Sequence, residues 1–254
     1  MTLNLQQQAQ RRMRRALYFL VGLVLVLVGA LVAIAFTGGG STTAAPDPKA
    51  SQSAGPSAMP TVRPDDGGYV APAQTVKLPD GAAKASGNLA VQFPHTPEGA
   101  AAMAVASVRN AWSLDPAQVK AGILAYSSAQ YRDQMAAVAE DGAKGNRQYA
   151  GITPETGPVP AGATLNAWPI GVKYAAVNGD TVDVLVLLRV THAAKAGAEP
   201  VTTLVVSPGR AVWEGGDWKG VPTDPGKPLP DPVDIGTAFF NEDKWKAIQE
   251  GDRL

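Results

Sequence analysis

The sequence predicts an α+β fold, with helices packed on one face of a curved antiparallel sheet, after a single transmembrane helix and a linker. Three observations lead to this prediction. Residues 16–36 form an uncharged apolar run, apolar residues recur at helical spacing after Phe93, and apolar residues alternate on both sides of Asn178-Gly179. The 254 residues leave room for one ordinary domain beside the anchor and the linker.

The apolar run from Ala16 to Phe36 contains 21 residues without a charge. A helix rises about 1.5 Å per residue, so this run spans about 30 Å, the thickness of a bilayer's hydrocarbon core. No basic residue follows the run before Lys49. The four arginines that precede it are Arg11, Arg12, Arg14 and Arg15. This asymmetry predicts a single-pass protein of the cell membrane, with residues 1–15 in the cytoplasm and the C-terminal domain outside.

A cleaved signal peptide is the alternative to this anchor. Ala33 and Ala35 form an A-x-A pattern, and the flank is basic. The apolar run is, however, longer than the roughly 7–15 residues usual in a signal peptide, which favours a retained anchor. The two arginine pairs are interpreted as topology determinants, because they lack the residues that follow a twin-arginine signal.

Residues 37–92 are dominated by Pro, Gly, Ser, Thr and Ala, and their large apolar residues have no period. This composition predicts a disordered linker. A flexible chain of that length reaches about 40 Å from its origin, so the domain can stand away from the bilayer. Tyr69-Val70 and Val76-Leu78 are the segments of this linker that could instead pair with another part of the chain.

The outer domain is predicted to cover residues 93–254. Thr96 is a good N-cap, Pro97 suits the first helical position, and Glu98 complements the helix dipole. Apolar residues follow at helical spacing, at Ala101, Ala104, Val105, Val108, Ala111 and Trp112. One face of the first helix is therefore expected to be buried.

Two more helices are expected before the sheet. Asp115-Pro116 repeats the cap-and-proline start, and helical periodicity continues to Tyr126. A third helix is predicted over residues 129–139. Residues 142–162 are rich in Gly, Pro and Thr, which predicts a loop.

Alternating apolar residues then predict an antiparallel meander. Alternation from Trp168 to Tyr174 and from Val182 to Val190 brackets Asn178-Gly179, the usual sequence of a type I′ hairpin turn. A third strand is expected at 201–213, bent at Pro208-Gly209. A short fourth strand around Trp218 follows the Gly215-Gly216 turn.

A helix is predicted at the C-terminus. It would begin at the N-cap Asn241 and end near Glu250, before Gly251. Trp245 and Ile248 are three residues apart and would dock this helix on the domain.

Charge and composition exclude some classes of function. The 22 basic and 22 acidic residues balance over the whole chain, but residues 1–36 contain four arginines and no acid. The remainder has a formal charge of −4, so direct nucleic acid binding through phosphates is not expected. The chain has no cysteine, which excludes disulfides, thiolate metal sites and a Cys-linked lipid anchor.

The order of anchor, linker, helices and meander resembles the bitopic inner-membrane scaffold subunit of type IV secretion and conjugation machines. In that family the outer domain has a cone-like fold of the nuclear-transport-factor-two type. The segment FPHTPEGAAAMAVASVRNAW, residues 93–112, also resembles the domain start of membrane proteins from actinobacterial mobile elements. The resemblance implies a non-enzymatic assembly protein that contacts other machine subunits and self-associates. It brings no catalytic motif, so no residue role is carried over.

Catalytic residues are not predicted, and we expect no enzyme activity. Asp183 and Arg189 lie on the strand face opposite the valines, where a solvated or salt-bridged residue is the simpler interpretation than a buried base. No cofactor or metal is predicted either: neither His95 nor His192 has an i+4 His or a close carboxylate pair. P-loop, GxSxG, HExxH and GxGxxG motifs are absent from the sequence.

The five tryptophans are expected to close the core rather than to form a ligand cage; they are Trp112, Trp168, Trp213, Trp218 and Trp245. An exposed one would be an interface candidate, because Trp is enriched at binding hot spots. Trp218 is the first choice, since it lies beside the Gly-Gly turn on an expected edge strand.

Two other functions are compatible with the sequence. One is a membrane-tethered enzyme or small-ligand-binding domain, which would place Asp183, Tyr174 or Arg189 in a deep pocket. The other is a tethered sensor of the cell wall.

Overall fold

A computed structural model describes residues 68–224 and 226–249. The predicted cytoplasmic tail with its four arginines, the membrane helix at 16–36 and the linker as far as residue 67 lie outside the described residues. Within the described part of the chain, no helix has the length and apolar character needed to cross a bilayer.

The described chain forms an α+β domain, as predicted. Its helices are α1 (Pro97–Ala111), α2 (Pro116–Tyr126), α3 (Ala129–Ala137), α4 (Ala139–Tyr149) and the short α5 (Ala238–Glu242). Both predicted caps are present: Thr96 Oγ1 accepts a hydrogen bond from Gly99 N, and Asp115 Oδ1 accepts one from Ala117 N. Gly99 also allows the preceding segment to fold back, because a Cβ there would lie 1.9 Å from the Pro94 carbonyl oxygen.

The strands form one large, mostly antiparallel curved sheet and a separate hairpin. They are β1 (Thr75–Val76), β2 (Ala83–Ala85), β3 (Leu89–Val91), β4 (Thr164–Asn178), β5 (Thr181–Ala193), β6 (Val201–Glu214), β7 (Asp217–Val221) and β8 (Lys246–Ile248). The sheet order is β1-β8-β4-β5-β6-β7, and β2 pairs only with β3. The predicted meander β4-β5-β6-β7 is therefore present.

Each face of the sheet has its own core. On the inner face, α1 packs across the meander, and Ala100, Ala101 and Met103 meet the inward valines of β5. On the outer face, the C-terminal segment covers the middle of the sheet with Phe240 and Trp245. Because both faces are covered there, β5 is buried on both sides, as its sequence predicts.

The predicted disordered linker ends earlier than residue 92. β1 pairs in parallel with β8, Ala247 N donates to Gln74 O at 2.9 Å, and Val76 is 9% exposed in the inner core. Leu89 in β3 is equally buried. Although the segment around β1 has few large apolar residues, it is held in place by backbone pairing with β8, about 170 positions later in the sequence.

The hairpin β4-β5 is confirmed, but its type I′ turn at Asn178-Gly179 is not. Asn178 pairs with Thr181, and the loop consists of Gly179 and Asp180, neither of which has a positive φ. Asn178 Oδ1 instead accepts a hydrogen bond from Asp180 N at 2.9 Å. Two consecutive positive φ angles occur instead in the turn between β6 and β7, at 62° and 83°, and in the turn between β2 and β3, at 76° and 61°.

The strand at 201–213 is confirmed, and its pairing with β5 continues through Pro208-Gly209, where the sequence predicts a bend. Pro208 pairs with Leu185 and Gly209 with Val184 in an unshifted register. Proline is tolerated here because Pro208 lies beyond the residues of β6 that pair with β7, where β6 has one neighbour.

Two predicted elements are wrong. The predicted loop at 142–162 is helical as far as Tyr149, because α4 follows α3 after a kink at Val138. The predicted helix from Asn241 is instead the end of α5 followed by β8. Lys244 has φ of 58°, which ends helical geometry, and Lys246–Ile248 then pair with β1 and β4.

Candidate interaction site

The first part of β4 is an open sheet edge. β4 is 15 residues long, but it pairs with β8 only at Gly171 and Val172. Within the described part of the chain, residues 164–169 therefore have β5 as their single neighbouring strand. An unpaired row of backbone groups is a template for pairing with another chain.

Trp168 lies on this open edge and is 51% exposed. The Arg109 guanidinium from α1 stands over its ring, 5.1 Å from the centroid. Trp168 is paired in register with Arg189, whose Nη2 donates to Asp234 Oδ1 at 2.6 Å. Tryptophan and arginine are both enriched at protein hot spots.

The opposite end of β4 is also uncovered. Residues 175–178 are exposed and project past β8 to the hairpin turn, and Val177 is 56% exposed. Trp168 and Val177 are thus two large exposed apolar side chains on one strand.

The prediction that Trp218 is an exposed interface residue is wrong. Trp218 is 1% exposed, and its Nε1 donates to Pro94 O at 2.8 Å. It packs edge-on against Trp213, which stacks on His95 with centroids 4.1 Å apart. Trp218 therefore fixes the segment that leads into α1, and the exposed tryptophan is Trp168.

The neighbour of Trp218 is a buried ion pair. Asp217 Oδ1 accepts hydrogen bonds from Phe93 N and Trp218 N, and its Oδ2 lies 2.9 Å from Lys219 Nζ. Burial, and secondly the charge of Asp217, raise the pKa of Tyr126 to about 12. Lys219 Nζ also donates to Ala125 O at 2.8 Å, so this ion pair holds β7 to α2.

Asp183 is held in an ion pair with Arg210. Its two oxygens accept from Arg210 Nε at 2.6 Å and from Arg210 Nη2 at 3.0 Å, in a bidentate cross-strand pair. The hydrogen bonds from Arg210 lower the pKa of Asp183. An anion stabilised in this way is a poor general base near neutral pH.

The three residues of the enzyme alternative are not brought together. Tyr174 packs with the inner core and donates a hydrogen bond to Glu98 at 2.9 Å. Asp183 and Arg189 lie on the outer face of the sheet with Leu187, and each has its own ion-pair partner. Burial raises the pKa of Tyr174 above its usual value, so the phenol stays protonated.

The two histidines serve different contacts. His95 Nε2 lies 2.9 Å from Asp180 Oδ1, which ties the start of α1 to the β4-β5 turn. His192 lies edge-on to Tyr149, whose hydroxyl hydrogen-bonds Thr203 Oγ1. Burial lowers the pKa of His192, and a hydrogen bond with the backbone of Ala150 partly opposes this. Among residues 68–224 and 226–249, no group of three His, Asp or Glu side chains is arranged to hold a metal ion.

Sequence reasoning missed Trp168 as the interface candidate. Trp168 and Trp218 both lie on strands with apolar alternation, so periodicity does not distinguish them. The exposure of Trp168 depends on the shortness of β8, which is a long-range feature. One signal was present: Pro169 directly follows Trp168, and proline is typical of edge strands.

No protein-family model, curated protein or solved structure matches the chain. Its function is therefore inferred from its own residues.

Proposed function

We propose that the chain is a membrane-anchored, non-enzymatic assembly protein of a conjugation-like or type IV secretion-like machine. The anchor predicted at 16–36 fixes it in the cell membrane, and the outer domain contacts other subunits and further copies of the chain. The observation that supports this proposal best is the open edge of β4, where Trp168 is exposed. Backbone pairing along such an edge supplies affinity, and a flanking tryptophan supplies a hot spot.

The contacts of the polar side chains support the non-enzymatic interpretation. Asp183, Arg189 and Tyr174 each have a partner side chain, and they lie on two different faces of the sheet. An acid-base reaction needs such groups within hydrogen-bond reach of one substrate atom.

A photo-crosslinking experiment tests the proposal in native membranes. A photoreactive amino acid is placed at Thr164 or Val177, which are exposed on β4, and at Lys120, an exposed residue of α2 that serves as the control. Crosslinks to machine subunits or to a second copy are expected from β4 and not from position 120. The proposal is wrong if the β4 positions give no crosslink, or if all three positions give the same products.

A further inference from the structure

The outer face of the sheet has an uncovered end with a defined pattern of side chains. Asn166, Thr191 and Thr202 are paired in register across β4, β5 and β6 and form one row. In the adjacent row, Trp168 is paired with Arg189. These five residues, called the outer-face site, lie beyond the C-terminal segment that covers the middle of the sheet.

The outer-face site is polar and contains one ion pair, and the guanidinium of Arg109 stands over its indole ring, 5.1 Å from the centroid. Thr191 Oγ1 and Thr202 Oγ1 are 2.9 Å apart; Thr202 is exposed and Thr191 is half-buried, and the exposed Asn166 beside them offers an amide. Arg189 is paired with Asp234 at 2.6 Å, and the two side chains are 41% and 39% exposed. Hydroxyl, amide, guanidinium and carboxylate groups therefore surround one half-exposed indole ring.

We propose that the outer-face site binds a neutral glycan chain. A pyranose ring has an apolar C–H face and a rim of hydroxyls. The C–H face fits the indole of Trp168, and the hydroxyls fit the Asn166 amide and the Thr191 and Thr202 hydroxyls, which donate and accept hydrogen bonds. The Arg189–Asp234 pair adds a donor and an acceptor at the border of the site.

The composition of the site favours a glycan over the other ligand classes. A nucleic acid or another polyanion would need a larger cluster of cations; two arginines, Arg109 and Arg189, lie at this ring, and Arg189 is paired with Asp234. The core of a protein interface is enriched in aromatic residues, Met and Arg. Trp168 and Arg189 are residues of that kind, whereas the row beside them consists of Thr, Thr and Asn, and Thr is under-represented at protein hot spots.

This glycan site goes beyond the proposed assembly function, although Trp168 belongs to both surfaces. Assembly is proposed along the backbone edge of β4, whereas the glycan would lie on the side chains of the outer face. A domain outside the membrane would meet wall glycan at this face, but binding itself does not depend on assembly.

The test uses the full-length chain in a detergent without a sugar headgroup, titrated with a neutral hexamer of N-acetylglucosamine. Two variants address the site. Trp168→Ala removes the stacking face, and the double variant Thr191→Val with Thr202→Val removes both hydroxyls while keeping the side-chain shape. Val177→Ala, on the same strand but at its other end, is the control.

The hexamer is expected to bind wild type and Val177→Ala equally, and both site variants should bind about tenfold more weakly or worse. No binding up to about 10 mM hexamer, or unchanged binding by both site variants, would overturn the proposal. Loss of the β4 crosslinks in the double threonine variant without hexamer binding would show a protein interface instead. If the crosslinks persist while the hexamer does not bind, only the glycan proposal fails.

Discussion

Glu214 caps α3 through Ser128. Its Oε2 accepts a hydrogen bond from Ser128 Oγ at 2.5 Å, and its Oε1 accepts one from Ala129 N at 3.0 Å. The side chain of Ser128, the residue in the N-cap position, makes no cap bond of its own. A carboxylate from the end of β6 therefore takes the place of a local cap and joins α3 to the sheet.

Removing this carboxylate should destabilise the domain modestly. Glu214→Ala is expected to lower the free energy of unfolding by about 1 kcal/mol, the usual loss for a helix cap. Glu214→Gln should cost less, because its amide oxygen still accepts a hydrogen bond. Urea unfolding at pH 7 measures both. Equal stability of all three proteins would mean that the cap contributes nothing.

The effect of Glu214 should depend on pH. The hydrogen bond from Ser128, followed by the one from the Ala129 backbone, lowers the pKa of this carboxyl in the folded state. Its contribution is thus complete above the unfolded pKa of about 4.3 and is lost as pH falls through the lower folded value. Wild type and Glu214→Gln should converge in stability at the acid end of the range.

His192 should make the domain sensitive to mild acid. Burial lowers its pKa in the folded state, so the folded protein favours the neutral ring. The associated stability is complete above the unfolded pKa of about 6.5 and is lost as pH falls through the lower folded pKa. His192→Gln should therefore lose less stability than wild type between pH 7 and 5 in urea titrations. Parallel stability curves for the two proteins would contradict this assignment.

Arg147 is expected to be the most sensitive charged residue of α4. It is 4% exposed, and it donates through Nε and Nη2 to Leu114 O and through Nη1 to Gly157 O. Arg147→Ala leaves the buried Leu114 carbonyl and the Gly157 carbonyl without their charged donor and should cost about 3 kcal/mol. Lys144→Ala, on the same helix, removes an exposed pair with Glu155 and should cost less than about 0.5 kcal/mol. Similar losses for the two variants would argue against a structural role of Arg147.

Asp183 and Arg210 should couple weakly. The pair is bidentate, but the side chains are 31% and 46% exposed, so solvent screens much of the attraction. A double-mutant cycle with Asp183→Asn and Arg210→Gln is expected to give a coupling energy of about 0.5–1 kcal/mol, smaller in 1 M salt. A coupling that salt leaves unchanged would indicate a desolvated pair, contrary to the exposures above.

Local sequence signals were sufficient for α1, α2 and the β4-β5-β6-β7 meander. Thr96-Pro97 and Asp115-Pro116 start helices through side-chain caps that need no distant partner. The alternation around the β4-β5 hairpin is equally local. For these elements, propensity, capping and apolar pattern agree.

The errors concern elements whose conformation is set by contacts with residues far away in the sequence. α4 buries Ala143, Gly145 and Asn146, which give no apolar stripe, so periodicity could not identify the helix. Asn241 has the residue type of an N-cap, but its amide bonds Ala71 O and Ala73 N from the segment before β1. The exposure of Trp168 could not be predicted for the same reason, because it depends on β8 pairing with β4 only at Gly171 and Val172.

The segment before residue 90 should be needed for a stable domain. A fragment that begins at residue 90 lacks β1, β2 and Leu89. In it, β8 would keep its pairing with β4 but lose its other neighbour, β1. We expect it to lose about 3 kcal/mol or more relative to a fragment of residues 68–249, because the apolar burial of Val76 and Leu89 is removed.

Point variants separate this packing effect from truncation itself. Val76→Ala in the 68–249 fragment should cost about 2 kcal/mol, since the side chain is 9% exposed in the inner core. Lys77→Ala, at the next and exposed position, should have little effect. Urea unfolding of the three proteins measures these differences. If Val76→Ala is as stable as Lys77→Ala, β1 does not contribute to the stability of the domain.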